Sequence, residues 1–273
     1  MKERVTVTIE RSLLKIIDAA VDGMQVKNRS HAIELLVERA LKQVLPSQAV
    51  ILAGGDSKKL LKPVNGKAVI VHNIELLSQY GITNILVLTN KEDEAVKNYL
   101  GDGSKYDVQL TYVEEKERMG TAGSLNAIRE QLTSSFILMN GDELKNVNLK
   151  DMFTFHKQNH GLCTMALTSI QDPSQYGVAL LNGNYIVAFI EKPPAKNAPS
   201  NFINAGLYMM ERDVLQYVPK GFGRLETDVF PKLAKESKLV GYPFSGQYLD
   251  IEEGISDAIT ERLSTIWKGI RDL

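Results

Sequence analysis

From residue 48 onward the apolar residues come in unbroken runs: AVILA (49–53), NILVLT (84–89), VQLTYV (108–113) and SFILMN (135–140). A strand that is apolar at every position is buried on both faces. Between these runs, VIVHNIELLSQY (69–80), EDEAVKNYL (92–100) and TAGSLNAIREQL (121–132) place apolar residues at helical spacing. Strand–helix alternation of this kind predicts a parallel, doubly wound α/β sheet. Beyond residue 160 the runs LCTMALTSI, YGVALL, YIVAFIE and FINAGLYMM follow with shorter gaps, which predicts a mixed sheet that extends the first. EKPPAKNAPSN (191–201) reads as a proline-rich loop between strands.

The first 45 residues have a different rhythm. RVTVTI (4–9) alternates strictly, with Val5, Val7 and Ile9 on one face. RSLLKIIDAAVD (11–22) then shows helical spacing through Leu13, Ile16, Ile17 and Ala20, and Gly23 is placed to cap it. Asn28 or Ser30 offers an N-cap for a second helix, HAIELLVERALKQV, which Pro46 ends. A lone strand and two helices in so short a segment cannot bury a core. The strand has no partner in its own segment, so a second copy of the chain is expected to supply one, giving a homodimer.

RVTVTI followed by NRSHAIELLVERAL resembles the ribbon-helix-helix family. The resemblance implies that the outward residues Arg4, Thr6 and Thr8 read a DNA groove, with the Ser30 region on phosphate. Residues 1–45 hold eight Lys/Arg against six Asp/Glu, a small surplus for a phosphate binder. Two alternatives stay open for this segment, a DNA-binding module and a dimerisation clip. The chain is therefore read as residues 1–45 plus a larger domain, 46–273.

The formal net charge of −1 exerts no global pull toward nucleic acid or membrane. No apolar run approaches the length needed to span a bilayer, and the first residues have no apolar stretch of the secretory-signal kind. Cys163 is the only cysteine, so no intrachain disulfide forms, in keeping with a cytoplasmic location. Cys163, Met139, Met209 and Met210 read as packing residues. His156 and His160 are four apart on a predicted helix, but no carboxylate or cysteine nearby completes a metal site, and a solvated helix face is expected.

Chemistry gathers at the ends of the predicted strands. LAGG (52–55) closes the first strand, where open parallel sheets bind ligands; Lys58, Lys59, Lys62 and Lys67 follow. MNGDE (139–143) projects Asp142 from another strand end, and SGQYLDI (245–251) supplies Asp250. Magnesium favours one or two carboxylates together with substrate phosphates, so these acids and the lysine loop together would suit a metal–triphosphate.

In order, the chain carries LAGG, PVNGKA, RMGTAGSL (118–125), MNGDE, YGVALL, FIEKP, FINAGLY, LETDVFPKLA and GQYLDI. This series resembles the sugar-1-phosphate nucleotidyltransferase family over almost all of residues 48–260. The resemblance implies a Rossmann-like, doubly wound mixed sheet and transfer of a nucleotidyl group from an NTP to a sugar 1-phosphate, with pyrophosphate leaving. By motif match, Asp142 and Asp250 would hold Mg²⁺, Lys192 would grip the sugar phosphate, and Glu191 would bond sugar hydroxyls. Tyr176, Gly177, Asn204 and Gly206 would line the sugar pocket. Leu52, Ala53, Gly54 and Gly55 would approach base and ribose, and Gly120 and Thr121 would close over the base. GTAGS leans toward relatives that use GTP or UTP.

The opening loop departs from the family pattern. Ser57, Lys58 and Lys59 stand where the family has Gly-Thr-Arg, and the spacer before PVNGKA is several residues shorter. Lys59 would replace the arginine that steadies the transferring phosphate, with Lys62 as the loop lysine; lysine keeps the charge and loses the planar fork. Tyr248 stands for a tryptophan before the second acid, and Glu252-Glu253-Gly254-Ile255 replaces Gly-Thr-Pro-Glu. An alternative follows: a DNA-binding regulator whose degenerate nucleotidyltransferase domain senses a nucleotide or sugar nucleotide. The expected assembly is a homodimer through the N-terminal module, extended to a tetramer if the larger domains also pair.

Overall fold

The computed structural model describes residues 6–24, 26–42, 45–90, 94–115, 117–246 and 248–250. The chain divides into two compact units, residues 1–44 and 45–273.

The first unit contains α1 (Arg11–Ala19) and α2 (Arg29–Lys42). Asn28 is the cap that α2 uses, its Oδ1 accepting from the His31 N–H at 3.0 Å. An exposed Arg29–Asp18 pair joins the helices through two bonds of 2.7 Å, a contact worth little at so open a site. Ile17 and Ala32 are buried, whereas Val7, Leu13, Ile16, Leu36 and Val37 are exposed. The expected strand is not formed over residues 6–9, which make no ladder. The physical reason is that backbone pairing needs a partner strand, and the described residues of this single chain offer none. Thr6 and Thr8 are exposed; Arg4 and Val5 lie outside the described residues.

The second unit follows in the order β1 (Gln48–Leu52), α3 (Ser57–Leu60), β2 (Pro63–Val64), β3 (Lys67–Ala68), α4 (Val69–Gln79), β4 (Asn84–Asn90), α5 (Glu94–Leu100), β5 (Gln109–Glu115), α6 (Gly120–Gly123), β6 (Phe136–Asn140), β7 (Glu143–Lys145), α7 (Leu149–Asn159), β8 (Cys163–Ser169), β9 (Gly177–Asn182), β10 (Tyr185–Glu191), β11 (Phe202–Met210), α8 (Phe230–Lys235), β12 (Leu239–Pro243) and β13 (Tyr248–Asp250). Nine strands form one sheet in the order β5-β4-β1-β6-β11-β8-β12-β10-β9. The first four are parallel. β11 runs antiparallel to β6 and β8, and β10 antiparallel to β12 and β9. The sheet is mixed, as the change of rhythm after residue 160 predicts.

The unbroken apolar runs are explained by two cores. Ala49 and Ile51 of β1 point to the face covered by Ile70, Ile74, Met152 and Phe153. Val50, between them, points to the face covered by Leu125, Ile128, Phe230 and Leu233. Successive strand side chains alternate faces, so both faces of β1 must be apolar.

Two elements differ from expectation. The helix expected over 121–132 is a single α-turn, α6, running into a 3₁₀ stretch at Ser124–Ile128. Its N–H groups at Ala122 and Gly123 are held by the Gly223 carbonyl at 3.0 and 3.1 Å, and the Asn126 side chain is drawn to the Pro219 carbonyl at 2.7 Å. Contacts distant in sequence shape this segment more than its propensity does. His156 is not on a solvated face: it is 1% exposed, with Nδ1 2.7 Å from Thr164 Oγ1 and Nε2 3.1 Å from Glu211 Oε1. Cys163, Met139, Met209 and Met210 are core residues, and burial pushes the Cys163 thiol well up. No helix among the described residues is long and apolar enough to cross a membrane.

Candidate functional site

The carboxyl ends of the parallel strands open into a cleft of about 410 Å³. Each strand delivers a residue to it: Leu52 and then Gly54–Gly55 from β1, Asn90 from β4, Glu115 from β5, and Asn140 and then Asp142 from β6. Sheets of this topology leave a crevice at that edge. The turn after β1 is held by the Ala53 N–H donating to the Leu88 carbonyl at 2.8 Å. Asn90 Nδ2 donates to the Gly54 carbonyl, so β4 fixes the glycine pair. A Cβ at Gly55 would stand 4.0 Å from Asp142 Oδ2; the glycine loop and the acid share one side of the cleft.

The loop beyond is short and ordered. Asp56 Oδ1 accepts from the Lys58 N–H at 2.9 Å and caps α3. β2 and β3 form a tight hairpin whose Asn65 and Gly66 have φ of 56° and 77°, as an Asn-Gly hairpin turn requires.

Asp142 lies at the head of an acid cluster. In the ladder between β7 and β13, Asp250 is the partner of Glu143, the residue after Asp142. Glu143 is pushed up to about 6 by burial, with the charges of Asp142 and Asp250 adding and Lys145 opposing. The Lys145 side chain is 0% exposed. Its ammonium donates to the Asn140 and Gly206 carbonyls at 3.0 Å each and to Glu143 Oε2 at 3.4 Å, and burial pushes it down. Asn73, reaching across from α4, donates to the Gly141 and Glu143 carbonyls at 3.1 and 3.0 Å. Three carboxylates against one buried ammonium leave local negative charge. The described residues contain no cluster of three or more His, Cys, Asp or Glu arranged to hold a metal.

The opposite rim is built from α6 and the segment 219–226. Thr121 Oγ1 donates to Glu226 Oε2 at 2.8 Å and accepts from the Leu225 N–H at 2.9 Å. Gly120 has φ of 74°, and a Cβ there would fall 2.4 Å from the Gly223 carbonyl oxygen, so only glycine permits this approach. Glu115 Oε1 is buried and has no hydrogen-bond partner among the described residues; its Oε2 accepts from the Met119 N–H at 3.5 Å. Glu191 is pushed up by burial and by the charge of Glu226, against Lys192 and Arg224.

Of the sequence-predicted residues, Leu52, Gly54, Gly55, Gly120, Thr121, Asp142 and Glu191 line the cleft. Ala53 is buried beneath it. Lys59, Lys62, Lys192, Tyr176, Gly177, Asn204, Gly206 and Asp250 are outside the lining. Lys192 is exposed with φ of 46°, and its N–H donates to the Tyr176 carbonyl at 3.0 Å. At Gly177 a Cβ would fall 2.8 Å from Glu191 Oε2. Asn204 spends its side chain locally, donating to Tyr208 Oη at 2.7 Å and accepting from the Gly206 N–H at 3.0 Å. Gly206, at φ of 58°, leaves room for Glu143 Oε2, which a Cβ would meet at 2.0 Å. Glu252 to Ile255 lie outside the described residues.

Sequence reasoning missed Asn90, Glu115, Arg118, Phe222, Arg224 and Glu226, all of which line the cleft. Arg118 and Glu226 sit within the RMGTAGSL and LETDVFPKLA motifs, and motif context was the available signal. Phe222 and Arg224 had none.

A nucleotidyl transferase family model matches residues 48–266. Mannose-1-phosphate guanylyltransferase 1 of Arabidopsis thaliana is 31% identical over 221 residues, covering 75% of this chain and 61% of that protein. The mannose-1-phosphate guanyltransferase of Saccharomyces cerevisiae has the same identity and coverage, 31%, 75% and 61%. The chain thus spans 61% of the length of these relatives. Among solved structures, HddC from Yersinia pseudotuberculosis complexed with GMP-PN superposes with a TM-score of 0.67 at 18% identity, covering 79% of this chain and 98% of that one. A UDP-glucose pyrophosphorylase complexed with UDP-glucose gives 0.64 at 19% identity, covering 82% and 99%. At these identities the two structures speak to the fold alone.

Proposed function

This chain belongs to the nucleotidyl transferase family, and from that premise we propose that its second unit joins an NTP to a sugar 1-phosphate, forming a nucleotide sugar and pyrophosphate. The observation that carries the proposal is Asp142 lining the cleft beside the Gly54–Gly55 turn at the sheet's carboxyl edge, with Asp250 across the β7–β13 ladder from the neighbouring Glu143. The donor set suits magnesium, which takes one or two carboxylates and completes its shell with water and phosphate oxygens. Asp142 and Asp250 would hold the ion; when bound, it supplies neutralisation of phosphate charge.

The chain's own residues provide position and charge. Leu52, Ala53, Gly54 and Gly55 let backbone come close to the nucleotide. Lys59 and Lys62 bring charge to the triphosphate, joined by Arg118 and Arg224 from the rim. Lys192 meets the sugar phosphate, and Glu191 bonds sugar hydroxyls. Tyr176 and Gly177 shape the wall behind Glu191, while Asn204 and Gly206 act at one remove by seating Glu143. Alignment for in-line attack and stabilisation of developing charge are what such a transfer needs.

The proposed nucleotide is GTP. Glu115 offers a buried, unpartnered acceptor at the rim, and the guanine edge presents two adjacent donors, N1–H and N2–H₂. The names of the relatives point the same way. The test is pyrophosphate release with Mg²⁺ over a grid of NTPs and sugar 1-phosphates. Asp142→Asn is expected to abolish turnover and leave the fold intact; full activity in that variant would overturn the metal assignment.

A second reading concerns the first unit alone. Its exposed Val7, Leu13, Ile16, Leu36 and Val37 favour pairing with a second copy, so the unit is proposed to act as a dimerisation clip. DNA binding through Arg4, Thr6 and Thr8, with the second unit as a nucleotide sensor, is the alternative. A gel shift at low salt on DNA upstream of its own gene separates the two: a shift that responds to nucleotide sugars favours the regulator.

A further inference from the structure

Phe222 is 62% exposed yet lines the cleft. Exposing an aromatic ring forfeits the burial that normally stabilises it, and the segment carrying it is pinned on both sides. Before it, the Pro219 carbonyl accepts from Asn126 Nδ2 at 2.7 Å. After it, the Gly223 N–H donates to the Met119 carbonyl at 2.9 Å, and the Gly223 carbonyl accepts from Ala122 and Gly123. A Cβ on Gly223 would fall 2.2 Å from Pro219 Cγ, so the strap folds tightly on itself. The ring is thereby held against the glycine rim, with Cε2 3.2 Å from the place a Cβ on Gly120 would occupy. The Arg224 guanidinium lies 6.0 Å from the ring centroid, within range of a cation–π contact.

We propose that Phe222 is a stacking platform for the nucleobase of the NTP, oriented by Arg224 and by the backbone stitching of residues 219–226 to α6. The proposal rests on the nucleotidyl-transfer reading and adds a binding residue to it. Every base has a π-face, so the platform contributes affinity for an aromatic heterocycle, while Glu115 is left to choose among bases. A purine, with the larger face, gains most.

The experiment is calorimetric titration of the full chain with the four common NTPs and with inorganic tripolyphosphate, which has no base. Wild type, Phe222→Ala and Phe222→Trp are compared, with melting temperature as the check on folding. Phe222→Ala is expected to weaken NTP binding about tenfold, in line with alanine substitutions at base-stacking aromatics. Phe222→Trp should restore binding, and tripolyphosphate should bind all three alike. In turnover assays the loss should fall on KM for the NTP rather than on kcat. Equal NTP affinity in Phe222→Ala and wild type would overturn the platform and leave the enzyme reading standing. An equal loss of tripolyphosphate binding would also overturn it, because the effect would then be structural. Wild type that binds no NTP would overturn the enzyme reading itself.

Discussion

A buried ammonium is tolerable only where oxygens replace its water, and Lys145 has three of them, from Asn140, Gly206 and Glu143. Lys145→Met would leave Glu143 buried without its cation. Breaking a buried pair in this way costs about 3–5 kcal/mol, and urea unfolding should show a loss of that size. At the rim, Glu115→Gln replaces one carboxylate oxygen with a donor, which repels a guanine donor. The GTP kcat/KM is expected to fall by about one to two orders of magnitude, the size of leaving a buried polar group unsatisfied, while an NTP whose base edge offers an acceptor gains. Glu211 makes a different prediction. Hydrogen bonds from His156 first, then Lys157 and Ser135, hold it at about 2, below its ordinary 4.5. An acid lowered by folding stabilises the fold above its unfolded pKa and loses that contribution as pH falls toward its folded one. Melting temperature should therefore drop between about pH 5 and pH 2, and Glu211→Gln should flatten the drop. Residue identity alone did not disclose these roles: His156 looked like a surface histidine because its partners, Thr164 and Glu211, are 8 and 55 residues away.

Among the elements, strands were the most legible. A run apolar at every position has few places to go but the middle of a covered sheet, and AVILA, NILVLT and SFILMN are there. Long helices such as α4 were readable from their spacing. α6 was not, because its first turn is shaped by the Gly223 carbonyl, about a hundred residues away. The bend in β11 is equally non-local. The register of β11 against β8 shifts between Asn204 and Tyr208, and Gly206 occupies the shift with a positive φ. Gly206→Ala combines that strained backbone with a clash against Glu143 Oε2. A positive φ alone costs about 1–2 kcal/mol for a residue with a Cβ. The variant should melt lower and lose turnover together, because the displaced acid adjoins Asp142.

At the scale of the whole molecule, the first unit is a small fold that leaves Val7, Leu13, Ile16, Met24, Leu36 and Val37 exposed, and Ile17 and Ala32 are the buried apolar residues among those described in it. Such a unit gains stability by pairing. Replacing Leu13 and Ile16 together with Glu in the full chain should shift sedimentation from dimer to monomer and leave Asp142-dependent turnover in place. Unchanged sedimentation would show that the unit does not dimerise through this face.

Hydrophobic patterning alone determined that an α/β sheet with two covered faces follows a short helical preface, since burial acts on each side chain according to its own periodicity. The motif order carried the family, and with it Asp142, Glu191 and the glycine turns, because close backbone approach and strand-end acids leave marks at single positions. Only the tertiary structure decided that Asp250 pairs with Glu143, that Lys145 lies beneath them, and that Glu115 and Phe222 stand at the rim beside Gly120. Those relations join segments tens to a hundred residues apart. The forces that set them, desolvation of charge and exclusion of one backbone by another, depend on distance in space and leave no period along the chain.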